Sequence, residues 1–551
     1  MYRCNSLLSF MKKKYYFIII FFVLCILSIN AQVAENNEER GALNAIFELK
    51  STLFCGGDGT ATNPYQICTA ENLADLAAMV NSGGNTSGVY YKVMNDIDLS
   101  DYTAGEGWVP IGNETVNCRF QGNFEGNGKV INNLIVNRRE ENQGLFGYTE
   151  GATIKNLTIE NCNVNGDNYV GGVVGLVLGG VITNCHVSGI VTGAHELGGI
   201  VGYGYGLPIT NSSSACTVIG DSKVGGLGGS LLHSAIANSH ATGDASGNFD
   251  IGGLAGSLVH TPLTNCYATG DLFGGENVGG VAGISSAASN TNCYATGNIN
   301  GETHVGGLMG TSNSTSSIEN CYATGDVIAT GDDVGGLVGF NSSATIENSY
   351  ATGAVTGADN VGGFVGNNVG AVSNCRAFSC KVESTGTHIG RIAGDNASGA
   401  LIGNYAYNQM ELWTNGVIIT TLTPTPAHNN IHGADITYAS APPQAKVCKA
   451  IFYANDVYCE SLNDTTFCDK VVHFQAVIDG FNSEQDTIQW FFDGDEYEDE
   501  RNRLEWIRYF DPGEHHILVE MQVRFGNGEI LSISGTLHVR VFWTQIKNYR
   551  R

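Results

Sequence analysis

Basic residues are scarce in this chain: Lys and Arg number 27 against 53 Asp and Glu, a formal net charge of −26. Phosphate binding needs a basic face, so a nucleic-acid partner is excluded. Charged residues amount to only 15%, against a typical ~25%. Proline occurs 9 times in 551 residues, and no strict glycine every third residue supports a collagen reading. Catalytic signatures are missing as well. His195-Glu196 opens the zinc-protease pattern His-Glu-x-x-His, but position 199 is Gly, so no second imidazole meets the metal and His195 reads as an exposed turn residue. No Gly-x-Ser-x-Gly turn and no phosphate loop occur. What abounds is glycine, 74 residues, nearly twice the usual ~7%. So much glycine disfavours helices by about 1 kcal/mol per site. The hydrophobic fraction of 42% and aromatic fraction of 9% argue against disorder. An all-β chain with many tight turns is predicted. Its length suits three or four domains at roughly 150 residues each.

The N-terminus reads as a secretory signal over residues 1–31. Lys12, Lys13 and Lys14 precede an apolar run from Tyr15 to Ile29, and Ala31 offers a small residue at the cut. Met11 is an alternative start. An uncleaved anchor is the competing reading, but the run is short for a span of ~20 residues. Leu24 stands where a lipoprotein signal before Cys25 wants a small residue. No later segment is apolar enough to span a bilayer, so the mature chain is not expected to be transmembrane. Of 16 Cys, Cys4 and Cys25 fall in the leader. Seven others recur in one periodic context, which reads as a packed interior ladder. Cys55 with Cys68, and a pair drawn from Cys448, Cys459 and Cys468, are the disulfide candidates of an exported protein.

Internal repetition carries most of the argument. Val170-Gly-Gly-Val-Val-Gly175 returns at Leu197, Val224, Ile251, Val278, Val305, Val334, Val361 and Ile389, at offsets of 27 to 29. A second block, Asn265-Cys-Tyr-Ala-Thr-Gly270, is interleaved at the same period, at Asn292, Asn320 and, with Ser349 for Cys, at Asn348. A unit of about 27 residues is too short to bury a core alone, so about ten copies must stack. Stacking at the ~4.8 Å strand spacing gives a rod of roughly 50 Å, a parallel β-solenoid. Alternation sets Cys321, Ala323, Gly325 and Val327 inward, and Tyr322, Thr324 and Asp326 outward.

These two blocks resemble the GLUG motif of bacterial cell-surface proteins. The upstream Gly56-Gly-Asp-Gly-Thr-Ala-Thr-Asn-Pro-Tyr-Gln-Ile-Cys68, Asn95-Asp-Ile-Asp-Leu99, Trp108-Val-Pro-Ile-Gly112 and Phe124-Glu-Gly-Asn-Gly128 resemble the leader that precedes such repeats. The resemblance implies a right-handed parallel β-helix on an exported protein, but no single activity. Some members are adhesin-like, and others are the non-catalytic part of bacterial immunoglobulin-A proteases.

The expected organisation is a leader and cap at 32–110, the β-helix at 111–410, a linker at 411–444 and a further domain at 445–551. Open solenoid ends expose strand edges and need covers. Thr69 caps a predicted helix over 69–82 with Leu73, Leu76, Ala77 and Val80 on one face, expected to lie across the N-terminal mouth. Pro424, Pro426, Pro442 and Pro443 mark the linker. Beyond it, strands alternate at 471–478, 488–492, 516–523 and 536–542. Trp490-Phe-Phe-Asp-Gly494 and the run from Tyr509 to Val523 resemble a PKD-type immunoglobulin-like β-sandwich, with Asp-Gly one position earlier than that family's pattern.

Two outward columns invite chemistry. Asp244, Asp271 and Asp326, with Asn298 between the last two, form an acidic row. It is either a solvated face or the converging carboxylates of a glycosidase. His240, Tyr267, Tyr294, Tyr322 and Tyr350 form an aromatic column beside Thr242, Thr269, Thr296, Thr324 and Thr352. It is either a binding face for a glycan or a host or extracellular protein, or in-register stacking that holds coils together. Asp493, Asp495, Glu496, Glu498, Asp499 and Glu500 make an acidic loop without EF-hand spacing. No cofactor is expected. The predicted protein is a non-enzymatic, extracellular or cell-surface adhesion or ligand-binding protein. The alternatives are a carbohydrate-active β-helix enzyme (polysaccharide lyase or glycosidase) and an inert stalk of a larger assembly.

Overall fold

A computed structural model describes residues 53–396, 398–422 and 427–436, and further strands between Ala450 and Val541. The predicted signal over 1–31, the linker prolines, Cys448, Cys459, Cys468, Asp493, Glu498, Asp499 and Glu500 lie outside the described residues.

The chain winds into an all-β parallel solenoid of about 14 turns with very little helix. One turn shows the plan. Strands Leu263–Thr264, Tyr267–Ala268 and Leu272–Phe273 belong to a 33-stranded sheet, Glu276–Gly279 to a 9-stranded sheet, and Ala282–Ser286 to a 10-stranded sheet. Each strand pairs in parallel with its copy one coil on: Tyr267 with Tyr294, Leu272 with Ile299, Val278 with Val305, and Ala282 with Met309. Side chains alternate along such short strands, so Ala268 is buried where Tyr267 is half-exposed. Parallel pairing begins upstream of the repeats, at Tyr65–Ile67 against Tyr90–Val93. There Phe54, Tyr65, Tyr91, Phe120, Phe124 and Phe146 fill the interior, bulkier than the Val, Leu and Ala of later coils.

The corner before each aromatic strand is turned by asparagine. Asn238, Asn265, Asn292, Asn320 and Asn348 take φ of 49° to 54°, a left-handed conformation that Asn tolerates better than most residues. Their amides form a ladder: Asn265 Nδ2 donates to Asn238 Oδ1 at 3.1 Å, and Asn292 Nδ2 to Asn265 Oδ1 at 3.1 Å.

The next position is an interior column of Cys185, Ser212, Ser239, Cys266, Cys293, Cys321, Ser349, Cys375 and Asn404, each at most 1% exposed. The thiols are free. Groups in this column can both give and take hydrogen bonds: Cys321 Sγ donates to Glu319 O at 3.3 Å and accepts from Cys293 N at 3.3 Å. Ser349 Oγ does the same for Glu347 O at 2.8 Å and Cys321 N at 3.1 Å. Burial pushes the Cys185 and Cys375 thiols up to about 12, so they stay protonated donors. The column therefore needs a small donor–acceptor, which Cys, Ser and Asn share and Ala lacks. Cys321→Ser is expected to melt within about 0.5 kcal/mol of the parent, whereas Cys321→Ala leaves the buried Cys293 N–H without its acceptor and costs about 1–3 kcal/mol. Denaturant unfolding compares them, and equal stability of both variants would remove the ladder's role. The predicted bridge Cys55–Cys68 is present.

Among the described residues there is one α-helix, Ala70–Asn81. The Thr69 side chain accepts from Asn72 N, and Leu73, Leu76, Ala77 and Val80 are buried. Downstream, Ala450–Tyr458, Lys470–Ile478 and Glu505–Phe510 form a three-stranded antiparallel sheet. Thr487–Phe492, Asp495–Glu496, Gly513–Arg524 and Ile530–Val541 form a four-stranded one.

Candidate functional site

The five residues of the aromatic column come together as one continuous stack. Ring centroids lie 4.5 Å apart for His240–Tyr267, 4.8 Å for Tyr267–Tyr294, 4.8 Å for Tyr294–Tyr322 and 4.9 Å for Tyr322–Tyr350, with interplanar angles of 0° to 5°. The one-coil register imposes this spacing, and each ring pair adds about 0.2–1 kcal/mol. Stacking has a consequence for recognition. Both faces of Tyr267, Tyr294 and Tyr322 are covered by neighbouring rings, so these tyrosines present edges and hydroxyls outward. Burial, and then Tyr267 beside it, raises the Tyr294 phenol above its usual range, which keeps it a neutral donor. The flanking Thr242, Thr269 and Thr296 are exposed, whereas Thr324 and Thr352 are buried.

The register extends the column beyond the rings. Toward the N-terminus, His240 pairs with Ser213 and Ser213 with His186. Toward the C-terminus, Tyr350 pairs with Arg376 and Arg376 with Tyr405. The ring ladder thus breaks at Ser213, where a recess of ≈ 270 Å³ opens, lined by Thr158, Glu160, His186, Ser213, His240 and Thr242 among others. The sequence reading missed this gap. Its signal was the block Asn211-Ser-Ser-Ser-Ala-Cys216, which keeps the period but carries no ring.

The acidic row is stitched into the backbone. Asp244 Oδ1 accepts from Asp271 N at 2.9 Å, Asp271 Oδ1 from Asn298 N at 2.7 Å, Asn298 Oδ1 from Asp326 N at 3.1 Å, and Asp326 Oδ1 from Ala354 N at 2.9 Å. Each carboxylate binds the coil after its own. His195 is exposed with Nδ1 2.8 Å from Ser222 Oγ, and Glu196 accepts from Lys223 Nζ at 2.8 Å. Among the described residues no group of three or more His, Cys, Asp or Glu is placed to hold a metal ion. No helix there is long and apolar enough to cross a membrane.

Comparison with known proteins finds similar sequences and a similar fold. The chain is 41% identical over 143 residues to halomucin of Haloquadratum walsbyi, which covers 25% of this chain and 2% of the relative. It is 38% identical over 120 residues to the "Putative Gly-rich membrane protein" of Evansella cellulosilytica, covering 21% and 13%. The match thus spans only a small part of either relative's length. Among solved structures, the crystal structure of a "putative immunoglobulin A1 protease" from Bacteroides ovatus is similar at 22% identity and a TM-score of 0.25, covering 70% of this chain and 87% of that one. An "IgA1 Protease" is similar at 16% and 0.29, covering 68% and 22%. Residues 166–192, 301–328 and 331–356 match the GLUG motif.

Proposed function

We propose that this chain is an exported, non-enzymatic surface protein whose solenoid is a rigid rod presenting a side face for adhesion or ligand binding, to a glycan or an extracellular protein. The observation that carries this reading is the unbroken stack from His240 to Tyr350, which fixes a row of aromatic edges at one-coil spacing. Surface-type GLUG repeats support the location. The acidic row argues against a glycosidase, because its carboxylates are hydrogen-bonded to backbone of the following coils and the repeating coil grows no catalytic cleft around them. The helix Ala70–Asn81 is proposed as the N-terminal cover, supported by its buried apolar face. Residues 445–551 are proposed as the PKD-type sandwich, supported by their two antiparallel sheets.

The test is attachment of the mature chain to arrays of glycans and extracellular proteins. Replacing Tyr294 and Tyr322 with Ala is expected to lower the signal about tenfold or more, a loss of about 1.4 kcal/mol or greater, while the rod still melts cooperatively. Unchanged attachment would remove the binding role of this face and leave a stalk.

A further inference from the structure

A sugar or a partner's aromatic side chain needs the face of a ring to stack on. Along the column, neighbours cover both faces of Tyr267, Tyr294 and Tyr322. His240 is different. One face lies 4.5 Å from Tyr267, and the other looks across the coil of Ser213 toward His186, two coils away. Two coil spacings are about 9.6 Å, so a single ring placed midway would sit about one rung from His240 and one from the level of His186. The recess there is ≈ 270 Å³, below the ~300–1,000 Å³ of sites for drug-sized ligands. It suits one ring rather than an extended molecule.

The lining is polar around that space. Asn184 Nδ2 donates to Asn156 Oδ1 at 2.7 Å, which leaves Asn184 Oδ1 as an acceptor facing His186 Nε2 at 3.3 Å. His186 Nε2 therefore carries the proton, and Nδ1 accepts from Ser213 Oγ at 2.7 Å. Ser213 keeps lone pairs for a ligand hydroxyl. Glu160 and Thr242 are exposed at the mouth, with Thr158 beside them. Burial, and then His186 nearby, holds His240 below its ordinary range. Its free face is that of a neutral imidazole.

Resting on the binding face proposed above, we infer that the gap at Ser213 is a subsite for one pyranose ring of a glycan. The sugar's C–H face lies on His240, and its hydroxyls bond to Ser213 and Thr242 and point toward the Glu160 carboxylate at the mouth. A pyranose fits this lining better than a phenyl ring does, because its own hydroxyls can bond the Ser213 and Thr242 hydroxyls at the ring's edge, which an aromatic edge cannot.

Saturation-transfer NMR on the full chain, with free glucose, galactose, mannose and N-acetylglucosamine and with 4-methylphenol as a stand-in for a tyrosine side chain, tests this. At least one sugar is expected to receive saturation on its ring C–H protons. Ser213→Tyr, which completes the ladder in register and leaves the fold intact, is expected to abolish the signal. His240→Ala, an independent variant, is expected to weaken it about tenfold. No transfer to any sugar, transfer to 4-methylphenol alone, or a sugar signal that survives both variants would overturn the subsite. In the last case, array attachment lost in the Tyr294 and Tyr322 variant but kept in Ser213→Tyr would leave the side face standing without the slot.

Discussion

Gly280→Val is expected to prevent the solenoid from closing, with a loss above about 4 kcal/mol, the range reached when a side chain is forced into a packed interior. In the coils of Gly226, Gly253, Gly280, Gly307 and Gly336, the second glycine of the Val-Gly-Gly block faces the alanine of the other block across the coil. A Cβ built on Gly280 falls 2.5 Å from Ala295 Cβ and runs into the carbonyl oxygen of Gly307; at Gly253 and Gly307 the opposing atoms are Ala268 Cβ at 2.7 Å and Ala323 Cβ at 2.8 Å. Real Cβ atoms do not approach so closely, and the Gly307 carbonyl is main chain of the next coil, held by the pairing of the adjacent Gly306 with Gly335. Trimming the opposing residue in Gly280→Val with Ala295→Gly should therefore give little rescue. Thr296→Val, at an exposed position just after Ala295, is the neutral control. Thermal melts followed by circular dichroism and limited proteolysis decide the matter. A Gly280→Val chain that melts with the parent would mean that the interior is not pinched there.

This contact explains why the two blocks keep one period, and it marks what the sequence could and could not show. Period and alternation gave register along the stack, and so the inward Cys293 and Ala295 and the outward Tyr294, while cysteine usage pointed to the Cys55–Cys68 bridge. They carry no information about how one coil bends in its own plane. The facing of Gly280 and Ala295 across the interior was therefore hidden, as was the use of Asp271 as an acceptor for the next coil. The aromatic column was legible as a column, but not its consequence. Outward rings spaced by one strand separation must cover each other's faces, which moves the open aromatic surface from the tyrosines to His240. The extra coils upstream escaped notice because Phe120, Phe124 and Phe146 fill a wider interior and need no Gly-Gly pair. In the copy Ile389-Gly-Arg-Ile392, where the second glycine is lost, Arg391 has a structural task.

Arg391 occupies the position of the pinching glycine in the last full copy of the repeat, where Gly363 stands one coil earlier. With fewer coils stacked beyond it, the interior has room for a long side chain, and Arg391 is 2% exposed. Its Nε donates to His432 O at 2.9 Å, Nη1 to Tyr407 O at 3.2 Å and Nη2 to Gly433 O at 3.2 Å, and Nη2 lies 2.8 Å from Asp435 Oδ1. One planar fork thus ties the segment at 428–436 and the strand Tyr405–Tyr407 to the core. Arg391→Met keeps the apolar stem but leaves His432 O and Gly433 O without their guanidinium donor, Tyr407 O keeping Met410 N, and is expected to cost about 1–3 kcal/mol for each carbonyl so stranded. Arg391→Lys should recover only part, because an ammonium cannot reach three divergent carbonyls from one plane. The loss should be local to that end. Hydrogen exchange is expected to accelerate at Tyr405–Tyr407 and Ala434–Ile436 while the coils around Tyr267 keep their protection. If the Met variant protects the terminal strands as well as the parent does, the guanidinium is not what holds this end of the rod.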